Sequence, residues 1–150
     1  MIVGTLICFD YGEKRIGVAV GQTVTATATP LETIAVKKGR PDWHRISLLI
    51  RQWQPQALII GIPVDMDGSR QRVTLLAEKF ARQLAGRYKL PVNHADERLS
   101  SFEARRRLQD IRNLDPVAAQ IILESWFAEN IKKPKSDDTI AGPVSNVNEQ

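Results

Sequence analysis

The chain has 150 residues, of which 43% are apolar and 25% are charged, as in a single globular domain with one sizeable core. Its apolar runs are far too short to cross a membrane, its single cysteine excludes an internal disulfide, and no basic segment of the signal-peptide type precedes the first apolar run. We therefore expect a cytoplasmic protein with no membrane partner. The net charge of +4 and the pI near 9.5 favour a polyanionic partner.

The first feature along the chain is an apolar run that ends in an acid. Leu6 to Phe9 are apolar, Asp10 follows, and after a turn at Gly12 a second β-rich run covers residues 16–20. This pattern predicts two adjacent strands joined by a tight connection, with Cys8 as a small core residue rather than a nucleophile. A carboxylate at the end of a buried strand needs a partner, so Asp10 is the first candidate site residue.

Strand and helix patterns then alternate. A Thr- and Val-rich strand is predicted over 23–29, where Pro30 interrupts it, and a continuing or separate short strand over 31–36. A basic turn over 37–41 leads to a helix that is capped by Asp42 and ended by Pro55. A buried strand over 57–62, a helix over 70–88 and a strand over 90–95 follow. The order predicts an α/β fold. We expect a mixed five-stranded sheet, with three antiparallel strands, then two right-handed parallel crossovers, and helices on both faces.

Two helices and a tail complete the prediction. A capping box at Ser100–Glu103 starts a basic helix, and Asp115-Pro116 starts a strongly apolar helix over 117–127. The surface of Trp126 and Phe127 on that helix is a candidate dimer face. Residues 132–150 have no apolar periodicity, which predicts a domain over 1–131 followed by a disordered tail.

Three acids stand at element boundaries. Asp10 closes the first strand, Glu97 closes the last strand and Asp115 opens the last helix. Ends of neighbouring strands meet at one edge of such a sheet, and converging carboxylates repel one another unless cations neutralise them. Oxygen-only ligands suit Mg²⁺ or Mn²⁺, and two such ions about 4 Å apart can support phosphodiester hydrolysis.

Each of these acids also has a simpler interpretation. An Asp at the N-cap before a Pro at the first helical position is a common helix start, and the local sequence alone favours that role for Asp115. Glu97 could simply pair with the adjacent Arg98. Asp10 is the hardest to explain without a cation, because its strand is apolar.

Four motifs stand out together in this chain. They are Asp10-Tyr11-Gly12-x-Lys14-Arg15-Ile16-Gly17-Val18-Ala19, then Ile60-Gly61-Ile62-Pro63 with Met66-Asp67-Gly68, then Asp96-Glu97-Arg98-Leu99-Ser100, and last Asp115-x-x-Ala118-Ala119-x-Ile121-Ile122-Leu123. In this order, over residues 4–130, they resemble the YqgF family, whose members are described as pre-16S rRNA nucleases or Holliday junction resolvases.

The resemblance implies a ribonuclease H-like fold and a metal-dependent nuclease that acts on structured RNA in 5′-end maturation of pre-16S rRNA. By motif, the catalytic and metal-binding acids are Asp10, Glu97 and Asp115, with Asp10 shared by two Mg²⁺ or Mn²⁺ ions. The bases around this edge would contact the nucleic-acid backbone. They are Lys14, Arg15, Arg98, Arg105 and Arg106. Tyr11 could stack on a base, although packing at the turn is the simpler role.

Other functions remain open at this point. The same chemistry could act on branched DNA as a Holliday junction resolvase, which should be a stable dimer, whereas we expect a monomer or a weak homodimer. A non-catalytic nucleic-acid-binding module is the third alternative. It is suggested by the short stretch from Arg107 to Asp115, where family members commonly have a longer Gly-rich, basic loop.

Overall fold

The computed structural model describes residues 4–63, 70–96 and 115–131. The strands in these ranges are β1 (Thr5–Tyr11), β2 (Arg15–Gln22), β3 (Thr27–Lys37), β4 (Arg40–Pro41), β5 (Ala57–Ile62) and β6 (Val92–Asp96), and the helices are α1 (Trp43–Trp53), α2 (Arg72–Tyr88) and α3 (Asp115–Asn130). The predicted basic helix after Ser100 and the predicted tail over 132–150 lie outside the described residues.

The strands form one mixed sheet in the order β4-β3-β2-β1-β5-β6. Neighbours in the β1 to β4 part are antiparallel, whereas β5 pairs in parallel with both β1 and β6. The predicted fold class is confirmed, with β1 beside the first crossover strand as expected. The predicted count of five strands was one short, because residues 40–41 pair with the end of β3 instead of belonging only to a turn.

The third strand differs most from its prediction. Residues 23–26 form a turn rather than a strand, and β3 runs without a break through Pro30. The pairing of β3 with β2 shifts between Val18 and Ala19, at the point where Pro30 lies. A proline lacks the N–H that a regular ladder needs, and such a bulge is one of the places where a sheet accepts it.

Alternate residues of the strands enter two separate cores. Ile7, Phe9 and Tyr11 of β1 pack with α1 and α2 on one face, while Leu6 and Cys8 pack with α3 on the other face. Cys8 is fully buried, as predicted. No helix in the described part of the chain is long and apolar enough to cross a membrane.

The last helix corrects one further expectation. Phe127 is 2% exposed and Trp126 is partly buried, and both belong to the α3 core. Phe127 is therefore used in the protein's own core and is not exposed to a partner, whereas the candidate dimer face at Trp126 stays a prediction. The other helices largely agree with the sequence: Asp42 caps α1 by accepting a hydrogen bond from the Arg45 N–H at 3.1 Å, and α2 begins two residues later than predicted.

Candidate active site

Asp10 lies near the carboxyl end of β1, on the face of the sheet that α3 covers. Its strand alternates, with Leu6 and Cys8 facing α3 and Phe9 and Tyr11 facing the opposite core. Successive side chains point to opposite faces of a strand, so the Asp10 side chain shares the α3 face with Cys8. Asp10 is partly exposed at the carboxyl end of a buried central strand.

Glycines flank Asp10 on both neighbouring strands. Its antiparallel partner on β2 is Gly17 and its parallel partner on β5 is Gly61. A Cβ on Gly61 would lie 2.8 Å from Ile122 Cδ1 of α3. The absence of side chains beside Asp10 therefore allows the helix to approach the sheet closely.

The start of α3 lies directly over Gly17. A Cβ on Gly17 would lie 2.0 Å from the Asp115 carbonyl oxygen and 2.9 Å from Asp115 Cβ. Directly paired residues of antiparallel strands point to the same face, with Cβ atoms about 5 Å apart. The Cβ atoms of Asp115 and Asp10 therefore lie within about 8 Å of each other.

Arg15 forms an ion pair with the Asp115 carboxylate. Its Nε donates to Asp115 Oδ2 at 2.9 Å, across 100 positions of sequence, and the side chains are 55% and 15% exposed respectively. This ion pair links the start of β2 to the first turn of α3. Arg15 was predicted to contact nucleic acid, and that role stays a prediction.

The turn between β1 and β2 carries further charges. Lys14 is exposed and its carbonyl accepts a hydrogen bond from the Val36 N–H at 2.9 Å, which fixes the turn against β3. Glu13 pairs with Arg72 at the start of α2 at 3.1 Å. Arg72 was not singled out from the sequence, since nothing local links it to a turn 59 positions away.

Tyr11 is a packing residue. It is 6% exposed and its ring centroid lies 5.2 Å from that of Phe80. Burial and the negative charge of Glu13 raise the pKa of Tyr11, against the opposing effect of Arg72. Of the two roles considered for Tyr11, the structure supports packing at the turn, because a ring held in the core has no open face for a base.

The remaining predicted site residues lie outside the described part of the chain. They are Glu97, Arg98, Arg105 and Arg106. Within residues 4–63, 70–96 and 115–131, no group of three His, Cys, Asp or Glu side chains could hold a metal ion. The described site thus contributes two carboxylates, Asp10 and Asp115, on one face and at one end of the sheet.

Both acids of this pair carry carboxylates, and Asp115 already pairs with the Arg15 guanidinium. Oxygen donors of this kind fit Mg²⁺ or Mn²⁺ rather than a softer metal. The sequence missed the role of Gly17 and Gly61, although two glycines in neighbouring strand motifs are a signal of close backbone approach.

Comparison with known proteins gives a consistent result. A family model described as "RuvX: Holliday junction resolvase" matches residues 4–129. A protein of Hydrogenovibrio crunogenus is 49% identical over 127 residues, covering 84% of this chain and 95% of that protein. One from Escherichia coli O157:H7 is 46% identical over 134 residues, covering 84% and 97%. Both carry the name "Putative pre-16S rRNA nuclease".

A solved structure supports the fold. Thermus thermophilus RuvC, in complex with a Holliday junction substrate, superposes with a TM-score of 0.52 at 15% identity, covering 86% of this chain and 96% of that chain. At this identity the likeness concerns the fold alone. It agrees with the ribonuclease H-like architecture expected from the motifs.

Proposed function

The chain belongs to the RuvX family, and from that premise we propose that it is a metal-dependent nuclease whose substrate is the 5′ region of pre-16S rRNA. It is a hydrolase of phosphodiester bonds. The names of its relatives support the rRNA substrate. The cytoplasm is the compartment that such a substrate implies.

The observation that carries the proposal is the seating of Asp115 over Gly17, the strand partner of Asp10. Asp10 and Asp115, which are far apart in sequence, lie near the same end of the sheet, and the Arg15 side chain is already paired with Asp115. Folding tends to separate like charges unless a cation holds them. A site for divalent cations accounts for the arrangement.

We assign Asp10, Asp115 and Glu97 as the ligands of that site, Glu97 because it follows β6 directly in the sequence. A bound divalent cation would supply Lewis-acid activation of the attacking water and charge neutralisation at the leaving oxygen. Asp10 contributes a carboxylate fixed by a buried strand, and Asp115 contributes one fixed by the first turn of α3. Such rigid placement is what positions reacting groups.

Basic side chains would hold the substrate backbone. Lys14 and Arg15 extend from the turn beside Asp10 and are exposed, so they can reach phosphates on either side of the scissile bond. Contacts of this type orient a strand without reading its sequence. Arg98, Arg105 and Arg106 are proposed for the same role from the sequence alone.

A second candidate substrate is the four-way DNA junction. The description of the matching family names Holliday junction resolvase, and the acids would perform the same hydrolysis on DNA. A resolvase makes paired cuts and should be a stable dimer. Sedimentation that gives a monomer at micromolar concentration would count against the junction and for the rRNA substrate.

The proposal is tested by cleavage of precursor rRNA and of a four-way junction, with Mg²⁺ and with Mn²⁺. Asp10→Asn, Glu97→Gln and Asp115→Asn should each lower the cleavage rate by at least about 100-fold, because each removes a fixed charge from the reacting centre. Glu129→Gln is the matched control: it makes the same change at an exposed position near the far end of α3, and it should cleave like the wild type.

Two outcomes would count against the proposal. Cleavage by the wild type that is unaffected by Asp10→Asn would remove the catalytic assignment. Tight binding of nucleic acid with no cleavage under either metal would favour the non-catalytic binding module.

A further inference from the structure

A second basic feature lies at the same end of the sheet as Asp10. β3 and β4 are joined by a two-residue turn, with Lys37 paired to Arg40 across it. We call residues 37–40 the basic hairpin. Its three cationic side chains, Lys37, Lys38 and Arg40, are all exposed, and none of the site assignments above uses them.

The strand register places the basic hairpin beside the candidate active site. Arg15 of β2 is paired with Ala35 of β3, and the Val36 N–H donates to the Lys14 carbonyl at 2.9 Å. The hairpin therefore extends beyond the sheet next to the turn that carries Lys14 and Arg15. It lies two strands from β1, about 10 Å across the sheet, and about 13 Å further along the strand direction than Asp10.

Because side chains alternate along a strand, Lys37 and Arg40 lie on the same face of the sheet as Asp10. Ile34 and Val36 belong to the core on the α1 and α2 side, so Lys37 points to the α3 side, as Asp10 does. Arg40 is directly paired with Lys37 and so shares that face. Ala35 is exposed there, which shows that the surface between Arg15 and Lys37 is open.

The charges of the basic hairpin are not neutralised within the described part of the chain. The acids that flank it in sequence are already engaged: Glu32 makes two hydrogen bonds of 2.6 Å to Arg45, and Asp42 caps α1. No described carboxylate forms an ion pair with Lys37, Lys38 or Arg40. A fixed group of uncompensated cations beside a nuclease site attracts a polyanion.

The conformation of Lys38 is a further sign. Lys38 has a φ of 53° and Gly39 a φ of 74°, which is the two-residue turn with positive φ at both central positions. Gly, Asn and Asp are the residues that favour such a turn, and a lysine is strained in this region. A cationic side chain thus occupies the tip of the hairpin, where Gly, Asn or Asp would fit the backbone better.

We propose that the basic hairpin binds the phosphate backbone of the substrate strand away from the scissile bond. Asp10, Gly17 and Thr33 are register partners, and Lys37 lies four residues beyond Thr33, so the offset from Asp10 is about 16 Å. At about 3.4 Å per phosphate along a strand, this corresponds to roughly five nucleotides. The inference rests on the proposed nuclease function and adds to it a second anchoring point. Phosphate contacts carry no sequence information, so the hairpin lengthens the substrate footprint without setting its sequence.

The test is equilibrium binding of fluorescently labelled 20-nucleotide single strands, one RNA and one DNA of the same sequence, with EDTA present so that no cleavage occurs. The variant Lys37→Gln/Lys38→Asn/Arg40→Gln should bind about 100-fold more weakly at 0.1 M salt. Its plot of log K against log salt should be shallower by about 2, since each phosphate contact to a single strand contributes about 0.7. Equal losses with RNA and DNA identify the shared backbone as the ligand, and a loss with DNA alone would overturn the assignment to an RNA substrate strand.

The matched control removes the same number of charges elsewhere. Arg51, Lys79 and Arg82 are exposed on α1 and α2, on the face of the sheet opposite to the site. The variant Arg51→Gln/Lys79→Gln/Arg82→Gln should change the affinity by less than about threefold. Equal weakening of binding by the two triple variants would overturn the inference, because it would show only the effect of net charge. Unchanged binding by the hairpin variant would also overturn it.

The single substitution Lys38→Asn distinguishes an effect on nucleic-acid binding from an effect on folding stability. Lys38→Asn relieves the strain of the left-handed conformation, so its melting temperature should equal or exceed that of the wild type, while its binding should weaken about fivefold at 0.1 M salt. Higher stability with unchanged binding would overturn the role of Lys38. A wild type that cleaves neither substrate but binds through the hairpin would reject the proposed nuclease function and leave this inference standing.

Discussion

At the scale of single residues, the Arg15–Asp115 ion pair determines how the site behaves before a metal binds. Arg15 is 55% exposed, and pairs of this kind contribute at most about 1 kcal/mol. The guanidinium therefore holds the carboxylate in place without binding it tightly. In the proposed nuclease, a divalent cation would compete with Arg15 for this carboxylate, and a displaced Arg15 would be available to a phosphate.

Arg15→Gln should consequently raise the affinity for Mn²⁺ by up to about fivefold, the equivalent of 1 kcal/mol, because the metal no longer competes with Arg15 for Asp115. Isothermal titration calorimetry without nucleic acid measures this directly. Arg72→Gln removes a comparable exposed pair with Glu13 and should leave the affinity unchanged. Weaker Mn²⁺ binding by Arg15→Gln would mean that the arginine supports the metal site instead of competing for it.

The sequence predicted part of this residue-scale picture. Asp10 could be identified locally, because an apolar strand that ends in an acid is informative by itself. The contact of Arg15 with Asp115 could not, since it joins positions 100 apart through the packing of a helix on a sheet. The local interpretation of Asp115 as a helix start is confirmed, because helix α3 begins at that residue, and it is compatible with the site role proposed for Asp115.

At the scale of elements, the close packing of α3 against Gly17 of β2 fixes the position of Asp115. Gly17→Ala would place a Cβ 2.0 Å from the Asp115 carbonyl oxygen, so the first turn of α3 has to move outward. Overpacking of this kind costs about 1–3 kcal/mol, and a displacement of about 1 Å at a reacting group can cost about 100-fold in rate. Both losses should be measurable, by thermal unfolding and by the cleavage assay.

Gly86→Ala is the control for that substitution. Gly86 is inside α2, and a Cβ there meets nothing within 4 Å. This variant should gain about 0.5–1 kcal/mol from the better helix former and should cleave like the wild type. Full activity in Gly17→Ala would contradict the role of Gly17 as the seat of the helix.

Elements were predictable where the pattern was complete. β5 was found at residues 57–62 as predicted, because six consecutive non-polar residues before a proline favour a strand buried on both faces. β3 was misjudged at Pro30, since the bulge that accommodates this residue depends on the register with β2. Residues 40 and 41 were assigned only to a turn, because two residues are too few to give a periodic signal.

At the scale of the whole molecule, one sheet separates two cores that depend on different helices. Phe80 of α2 contacts Phe9, Tyr11 and Trp43 in one core, while Phe127 of α3 packs with Leu6 and Cys8 in the other. Because β1 contributes side chains to both cores, its position is fixed by packing on both faces of the sheet. Asp10 is held by a strand that is buried on each face.

Phe127→Ala should lower the stability by about 3–5 kcal/mol, or roughly 6–20 °C in melting temperature for a domain of this size, because the side chain is 2% exposed. Scanning calorimetry gives the shift, and sedimentation should show no change in oligomeric state. Val24→Ala, at a side chain that is 84% exposed, should have no measurable effect. A change of mass on sedimentation with little loss of stability would instead identify Phe127 as an interface residue.

The order of the elements along the chain has a consequence for synthesis. β1 with Asp10 leaves the ribosome first, whereas α3 with Asp115 comes after all six strands. The position over Gly17 stays empty until α3 has been made, so the two acids cannot meet in a chain that stops before Asp115. If these acids form the proposed active site, a nascent chain stays inactive until α3 has left the ribosome and packed on the sheet.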